Sequence, residues 1–422
     1  MPRRSRTPPM REQPGLLRRI FADPTPVLDE LAARYGSTYS LGAGPVRMAV
    51  VGDPVALREL FAMSTDTFRW GHKFNVLRFL VGKESMIVSD GADHKRRRSA
   101  VQTAFSRRRL NGWIPMIVER TDAAIDQLVG TIGDNGETVD LYTFGRSLVL
   151  EIVVRSLFGE RMAQRAPEIG ALFQRPQDYL EAPAFKQIPH PIPGTARARV
   201  RADRHGIDTI VDEQIAHLRA HPSSDPLDVL ASLVEEGVLS DGEIRDQVAT
   251  LLGAGYDTTA ASLSWMFWCV SLAPDLWPRL RKEADGVDAD NETLAALDLA
   301  NRTMRETTRL HPAGVISPRE TAQDVLVNGY RIPKGTLILW SPHLAGRDPA
   351  AWADAAWVPF GRGPRNCIGF ALAQMELTLI ISRIAQRLDV AETTSDLPKP
   401  VGMVVNRPEG GAPMRVSARR PT

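Results

Sequence analysis

The sequence contains very few cysteines and no apolar run long enough to cross a bilayer. Among 422 residues only Cys269 and Cys367 are cysteines. A disulfide framework is therefore excluded as the basis of the fold, and a reducing, cytoplasmic compartment is expected. The most apolar window, residues 260–272, is shorter than the roughly 20 residues that a membrane helix needs, so we expect a buried helix there and no membrane span.

A large charge of either sign is also missing. The chain has 52 lysines and arginines against 50 acidic residues, which gives a formal net charge of +2. Without a basic surface pattern that alternates with aromatic residues, nucleic-acid binding is not expected. Hydrophobic residues make up 43% of the chain and charged residues 24%, which is typical of a globular protein with a large core.

Hydrophobic periodicity predicts a mainly α protein with a small β region. Residues 1–20 are rich in arginine and proline and lack an apolar core, so a disordered tail is expected there. Residues 26–35 have one apolar face and predict a first helix, and residues 38–51 predict a β-hairpin. Helical patterns dominate from Pro54 onward. Short strands are predicted at residues 325–330, 336–340 and 401–405.

Residues 360–369 read F-G-R-G-P-R-N-C-I-G and place Cys367 in a glycine-rich loop. A cysteine binds a metal as a thiolate, a form that N–H donors, positive charge and a helix N-terminus favour. Gly361, Gly363 and Gly369 let the backbone fold closely around a sulfur, and the apolar spacing that follows predicts an amphipathic helix. The loop therefore predicts a thiolate presented to a metal, with a buried free cysteine in a glycine turn as the ordinary alternative.

The pattern F-G-x-G-x-R-x-C-x-G resembles the haem-binding loop of the cytochrome P450 haem-thiolate monooxygenases. The resemblance implies that residues 21–422 form one large domain with that family's mainly α fold, of the soluble bacterial type. It implies haem b (iron protoporphyrin IX) as cofactor, with the Cys367 thiolate as the axial ligand of the iron. The haem-binding residues of this loop would be Phe360, Gly361, Arg365, Cys367 and Gly369.

A second segment, residues 254–259, reads A-G-Y-D-T-T and resembles the family's A-G-x-D-T-T pattern. Each glycine inside a helix lowers its stability by about 1 kcal/mol relative to alanine, so the glycines of this apolar helix require an explanation. Close packing of a neighbouring helix is one explanation. The resemblance implies another: Ala254 and Gly255 would border the haem. Asp257 and Thr258 would be the catalytic residues that deliver protons during oxygen activation.

Residues 94–98 resemble the H-x-x-x-R helix of the family. The i,i+4 spacing puts His94 and Arg98 on one helix face, where two donors can bind a haem propionate. The resemblance implies the same role for Arg319. The residues between them, Lys95, Arg96 and Arg97, are interpreted as an exposed basic run.

Residues 306–309 resemble the family's E-x-x-R helix. Alone, such an i,i+3 pair is usually a weak surface salt bridge. Together with the cysteine loop, the resemblance implies that Glu306 and Arg309 form a buried structural pair that supports the loop. Family members normally continue through a meander containing a third arginine, but here residues 347–359 run directly into Phe360. Either another arginine takes that position or the segment is missing from this sequence.

The implied function is a monooxygenase that inserts one oxygen atom from dioxygen into a largely apolar small molecule, with a role in secondary metabolism. The sequence has no flavin or nicotinamide fingerprint, so electrons are expected from a ferredoxin or flavodoxin with its reductase. A monomer is expected. The alternatives are a peroxide-driven or non-oxygenating haem-thiolate enzyme and a non-catalytic haem-binding protein. The expected docking face is basic and comprises Lys95, Arg96, Arg97, Arg107, Arg108, Arg109 and Arg362.

Overall fold

The computed structural model describes residues 7–70, 76–133, 135–182, 186–187, 190, 192–222, 228–273, 275–287, 296–349 and 357–419. Most of these residues lie in helices. Their bounds are α1 Gln13–Ala22, α2 Pro24–Tyr35, α3 Pro54–Ala62, α4 Val76–Leu80, α5 Gly91–Gln102, α6 Arg107–Thr131, α7 Leu141–Ala163, α8 Ala166–Leu180, α9 Ala196–Ala220, α10 Val229–Glu236, α11 Asp241–Ser271, α12 Leu276–Asp285, α13 Asp298–Leu310, α14 Pro342–Gly346 and α15 Phe370–Arg387.

Within these described ranges the strands form four small sheets. A five-stranded sheet has the order β1-β2-β8-β5-β3, and a three-stranded sheet has the order β4-β12-β9. The pairs β6-β7 and β10-β11 complete the set. The bounds are β1 Thr38–Leu41, β2 Met48–Val51, β3 Phe68–Arg69, β4 Glu137–Asp140, β5 Ser317–Thr321, β6 Val325–Val327, β7 Tyr330–Ile332, β8 Leu337–Trp340, β9 Leu388–Glu392, β10 Pro400–Val401, β11 Arg407–Pro408 and β12 Pro413–Ala418.

The main core surrounds α11. This helix starts with a capping box, in which the Ser240 hydroxyl and the Glu243 carboxylate each accept a backbone N–H of the other residue. Trp265, Phe267 and Trp268 are buried along it, and Phe267 and Trp268 belong to an apolar cluster to which α7 and α15 also contribute. The predicted helix at residues 260–272 is therefore buried inside the protein. Within the described ranges, no helix is long and apolar enough to span a membrane.

The predicted hairpin forms, because β1 and β2 pair antiparallel over residues 38–51. The strand predicted at residues 401–405 is wrong beyond Val401: only the short β10 pairs there. The disordered tail predicted over residues 1–20 is also wrong for its last part. Residues 13–20 belong to α1, and its Leu16 and Ile20 are buried against the core that contains α2 and β1, which offsets the entropy of ordering this segment.

The basic run in α5 is not fully exposed as predicted. Arg97 is buried, and its Nε donates to Glu243 Oε1 at 2.8 Å while its Nη1 donates to Ser89 Oγ at 2.6 Å. Arg96 also donates to Glu243, with Nη1 3.1 Å from Oε2. Hydrogen bonds from the two arginines lower the pKa of Glu243 to about 2. The carboxylate thereby connects α5 to the start of α11.

Replacing Glu243 by glutamine should lower the free energy of unfolding by about 3 kcal/mol at pH 7, because buried Arg97 loses its counter-ion. The pKa of Glu243 is lower in the folded protein than the usual 4.5. The contribution is therefore complete above about pH 4.5 and is lost as the pH falls toward 2. Urea denaturation of both proteins at pH 7 and pH 3 measures this, and the difference should shrink at pH 3.

The matched control is Glu235→Gln, since Glu235 is exposed at the end of α10. This variant should unfold like the unmodified protein at both pH values. An equal loss in the two variants at pH 7 would contradict the role given to Glu243.

Candidate active site

The Cys367 loop has the compact turn that its glycines predict. Gly361 and Gly363 have φ angles of 66° and 74°. A Cβ atom at Gly363 would lie 2.5 Å from the carbonyl oxygen of Phe61, so only glycine fits there. The backbone N–H of Cys367 donates to the Phe360 carbonyl at 2.8 Å and closes the loop just before α15 begins at Phe370.

The Cys367 thiol is presented at the surface of this loop, since the residue is exposed. Protein atoms around the sulfur raise the pKa of the thiol, whereas the backbone N–H of Gly369 and the charge of Arg98 lower it. These two groups are the N–H donor and the positive charge that the sequence predicted around a thiolate.

Four nitrogen-bearing side chains lie near the loop: His94, Arg98, Arg319 and Arg365. Arg98 donates from Nη2 to Asn366 Oδ1 at 2.9 Å, one residue before Cys367. Arg365 lies within the loop, with its guanidinium carbon 3.8 Å from the Trp70 ring centroid. Arg319 on β5 is buried among aromatic rings, 5.4 Å from that of Trp70. The positive charge of Arg365 lowers the pKa of both His94 and Arg319.

One carboxylate pairs with this cationic group: Asp90 Oδ1 lies 3.4 Å from Arg365 Nη2. Burial lowers the pKa of both Arg319 and Arg365 to about 10, and a neighbouring cation adds to the shift in each case, Arg365 for Arg319 and Arg98 for Arg365. Burial and the same positive charges lower the pKa of His94 to about 3, so its imidazole is neutral. The Nε atoms of Arg319 and Arg365 are buried, and neither has a hydrogen-bond partner among the described residues. A bound anion would supply the acceptors that these donors lack.

The A-G-Y-D-T-T segment lies within α11 and presents two different faces. Ala254 is exposed although Leu252 and Tyr256 beside it are buried, and Thr258 is partly exposed on the same face. The Thr258 hydroxyl donates to the Ala254 carbonyl oxygen at 2.7 Å. The helix α11 is otherwise largely buried, so Ala254 and Thr258 form an exposed face within the segment that is predicted to act on oxygen.

Gly255 of this segment and Gly253 just before it both lie at helix–helix contacts. A Cβ at Gly253 would lie 3.2 Å from Phe173 Cε1 on α8, and one at Gly255 would lie 3.4 Å from Val153 Cγ1 on α7. Close packing therefore accounts for Gly253, whereas the distance at Gly255 is an ordinary van der Waals contact that does not require glycine.

Asp257 lies on the buried face of α11. Its Oδ1 accepts from Arg146 Nε at 3.1 Å and from the Tyr142 hydroxyl at 3.0 Å. Burial and the Asp257 charge raise the pKa of Tyr142, which keeps the phenol protonated as a donor. Arg146 also donates to the Tyr256 hydroxyl at 3.1 Å. The two predicted catalytic residues are neighbours in sequence but point into different surroundings, Asp257 into a polar network and Thr258 onto the open face.

Glu306 and Arg309 form the predicted ion pair on α13, with Arg309 Nη2 2.5 Å from Glu306 Oε1. The prediction that this pair is buried is wrong for Glu306, whose side chain is 53% exposed against 16% for Arg309. Arg309 is enclosed because it also donates to the Gly346 carbonyl at the end of α14. The residues 350–356, in which a meander arginine was sought, lie outside the described ranges.

Trp357 is a contact residue that the sequence reasoning missed. Its indole Nε1 donates to the Arg305 carbonyl on α13 at 2.9 Å, and the Arg305 guanidinium lies 4.2 Å from the ring centroid. The same ring packs at 5.7 Å against Phe360 and against Phe370, which flank the cysteine loop. The only signal in the sequence was an aromatic residue three positions before Phe360. Trp357 thus connects α13 to both ends of the loop.

The predicted docking face is also smaller than expected. Arg96 and Arg97 are engaged by Glu243, and Arg109 donates to Ser232 Oγ at 2.5 Å. The remaining members of the predicted face are exposed: Lys95, Arg107, Arg108 and Arg362.

Comparison with known proteins connects this geometry to one family. The profile of the family described as Cytochrome P450 matches residues 15–356 and 353–413, two parts that meet in the shortened segment before Phe360. A putative cytochrome P450 139 of Mycobacterium tuberculosis is 31% identical, over 86% of this chain and 87% of the relative. Pentalenene oxygenase of Streptomyces avermitilis is 28% identical, over 92% of this chain and 91% of its own.

Cyclooctat-9-en-7-ol 5-monooxygenase of Streptomyces melanosporofaciens is 28% identical, over 87% of this chain and 85% of its own. Among solved structures, retinoic acid bound cyanobacterial CYP120A1 superimposes with a TM-score of 0.83 at 22% identity, covering 95% of this chain and 96% of that one. The mainly α fold predicted from the sequence is confirmed. The chain belongs to the cytochrome P450 family, whose haem-thiolate enzymes are oxidoreductases that incorporate oxygen from dioxygen.

Proposed function

We propose that this protein inserts one oxygen atom from dioxygen into a largely apolar small molecule, with haem b held by the Cys367 thiolate. The observation that carries the proposal is the Cys367 thiol, presented on a glycine-shaped loop beside Arg98 and beside Arg319 and Arg365, whose buried Nε atoms have no partner among the described residues. Pentalenene oxygenase and cyclooctat-9-en-7-ol 5-monooxygenase among the relatives support small-molecule oxygenation in secondary metabolism.

The residues present fit a haem. Cys367 would bind the iron, and the loop residues Phe360, Gly361 and Gly369 would lie against the ring on that side. The two carboxylates of the porphyrin would satisfy the unpartnered Nε atoms of Arg319 and Arg365 and take further hydrogen bonds from Arg98 and His94. The bound haem would supply the reduction and activation of dioxygen, and the thiolate ligand would favour O–O cleavage.

Thr258 and Asp257 would hold and transfer protons on the side of the site that α11 forms. The Thr258 hydroxyl now donates to the Ala254 carbonyl, so its lone pairs face the open side, where they can hold a water or accept a proton donor. Ala254, which has only a methyl group, leaves room there. Asp257 would exchange protons with solvent through rotation away from Arg146 and Tyr142, which hold it in the resting arrangement.

Electrons would come from an acidic ferredoxin or flavodoxin with its reductase. The exposed cations Lys95, Arg107, Arg108 and Arg362 lie on α5, at the start of α6 and in the cysteine loop, so they belong to the elements next to Cys367. Opposite charge on the partner would speed its encounter with this face.

The class of chemistry is tested by the absorption spectrum of the reduced carbon monoxide complex. We expect the red-shifted band of thiolate ligation in the unmodified protein, and its loss in Cys367→Ser. Cys269→Ser is the matched control, because Cys269 lies on α11 and burial raises the pKa of its thiol to about 11, which keeps it protonated. A thiolate band that persists in Cys367→Ser, or that disappears in Cys269→Ser, would refute the ligand assignment.

Thr258→Ala should uncouple electron use from oxygen insertion. Without the hydroxyl, proton delivery loses its local donor and acceptor, and product formed per NADPH should fall by about tenfold while hydrogen peroxide rises. Thr258→Ser keeps the hydroxyl and is the control, with coupling close to that of the unmodified enzyme. Unchanged coupling in Thr258→Ala would exclude the role in proton delivery.

Arg107→Gln combined with Arg108→Gln should slow reduction by the partner protein severalfold at low salt, and should weaken the dependence of this rate on ionic strength. Stopped-flow reduction at several salt concentrations measures both effects. Arg201→Gln removes an exposed charge from α9 instead and should leave the rate unchanged. Reduction that is independent of salt in the unmodified protein would contradict a charged docking face.

A further inference from the structure

Two histidines lie one turn apart at the end of α9. Residues 217–221 read H-L-R-A-H, and this i,i+4 spacing places both imidazoles on one helix face. His217 lies in the last turn of the helix, and His221 is its C-cap residue. His217 is partly exposed and His221 is exposed, so a solute can reach both rings. The helix α9 carries none of the residues assigned above to the haem or to the docking face.

The two imidazole rings are stacked on each other. Their centroids are 4.7 Å apart, and the ring planes differ by 27°. Two nitrogen atoms bound to one tetrahedral Zn²⁺ ion, each at about 2.0–2.1 Å, lie about 3.3 Å from each other. Small rotations of the two side chains therefore suffice to bring one nitrogen of each ring onto the same ion.

The backbone fixes the tautomer of His221. Its Nδ1 lies 3.3 Å from the carbonyl oxygen of His217, and because a carbonyl oxygen only accepts, this nitrogen carries the proton. In the neutral ring Nε2 then keeps its lone pair, which is what a metal ion binds. Histidines that bind metals in proteins commonly donate from their second nitrogen to a backbone carbonyl or a carboxylate. His221 is thus already oriented as a ligand.

His217 is held in the neutral form that a metal ion requires. Partial burial and the positive charges of Arg161 and His221 lower the pKa of His217 below its ordinary value. A neutral imidazole has a lone pair for a metal, whereas an imidazolium ion has none. Arg161 also repels a bound cation, so its charge limits the affinity that the two rings can reach.

A third protein ligand is not present among the described residues. Glu213 lies about one turn before His217, but its Oε2 accepts from Arg165 Nη1 at 2.6 Å. In the part of the chain that the structure describes, no three histidine, cysteine or carboxylate side chains are grouped so that they could hold a metal ion. Two imidazoles and water molecules are therefore the expected ligands. This is an open surface site, unlike the closed four-ligand site of a structural zinc ion.

We propose that His217 and His221 bind one divalent transition-metal ion of the class that imidazole ligands favour, namely Cu²⁺, Ni²⁺ or Zn²⁺. Mg²⁺ and Ca²⁺ are excluded by their preference for oxygen ligands. Cu²⁺ binds more tightly than Ni²⁺ or Zn²⁺, as it does at nitrogen sites in general. The bound ion connects the last turn of α9 to its C-cap residue and so stabilises the end of this helix.

Calorimetric titration of Zn²⁺ into the untagged, haem-loaded protein tests the site. His217→Asn and His221→Asn should each weaken Zn²⁺ binding by about a hundredfold, because each removes one of two linked ligands and with it the gain from chelation. X-ray absorption at the zinc edge should show two imidazole ligands on the ion bound to the unmodified protein.

His205→Asn is the matched control, since this exposed histidine lies on α9 about three turns before His217. It should bind Zn²⁺ like the unmodified protein. All four proteins should have the same thermal unfolding midpoint without metal, and Zn²⁺ should raise it only in the unmodified protein and in His205→Asn. Equal Zn²⁺ affinity in His221→Asn and His205→Asn, or fewer than two imidazoles on the bound zinc, overturns the proposal.

Discussion

The position of the Cys367 loop depends on Arg365. Its guanidinium stacks on Trp70 at 3.8 Å and donates to the carbonyl oxygen of Ser89 at 2.6 Å. Ser89 Oγ in turn accepts from Arg97, which is bound to Glu243 at the start of α11. One series of charged hydrogen bonds thus joins the cysteine loop to the helix that carries Thr258. Because charge-assisted bonds are directional and strong in a partly buried setting, they fix both sides of the site relative to each other.

The same region concentrates positive charge, and Asp90, 3.4 Å from Arg365, pairs with only part of it. Burial lowers the pKa of both Arg319 and Arg365, and their buried Nε atoms are unpartnered in the described part of the chain. Such an arrangement costs free energy unless an anion lies beside it. An anionic cofactor bound there would recover that cost, and its binding would then be coupled to folding stability. Aromatic rings around Arg319 offset part of the penalty through cation–π contact, for example with Phe68 at 5.1 Å.

Some parts of the candidate site could be predicted from the sequence because a local pattern determines them. The Cys367 loop depends on glycine φ angles and a following amphipathic helix, and the Thr258 segment lies inside one continuous helix. Other parts failed because they depend on distant residues. Arg97 was predicted to be a solvated charge from its own helix alone, but it is buried and paired with Glu243. The helix α1 is ordered by apolar contacts with distant residues, which a proline-rich composition does not reveal.

The sequence by itself determined the mainly helical composition, the thiol-bearing turn and the pairing of Glu306 with Arg309, since each is set by residues within a few positions of one another. Only the tertiary structure decided which charges are compensated. It placed Asp257 against Arg146, left Glu306 half-exposed and brought Trp357 onto Arg305. Burial and the distance between charges depend on how the helices pack, and a linear pattern contains neither quantity.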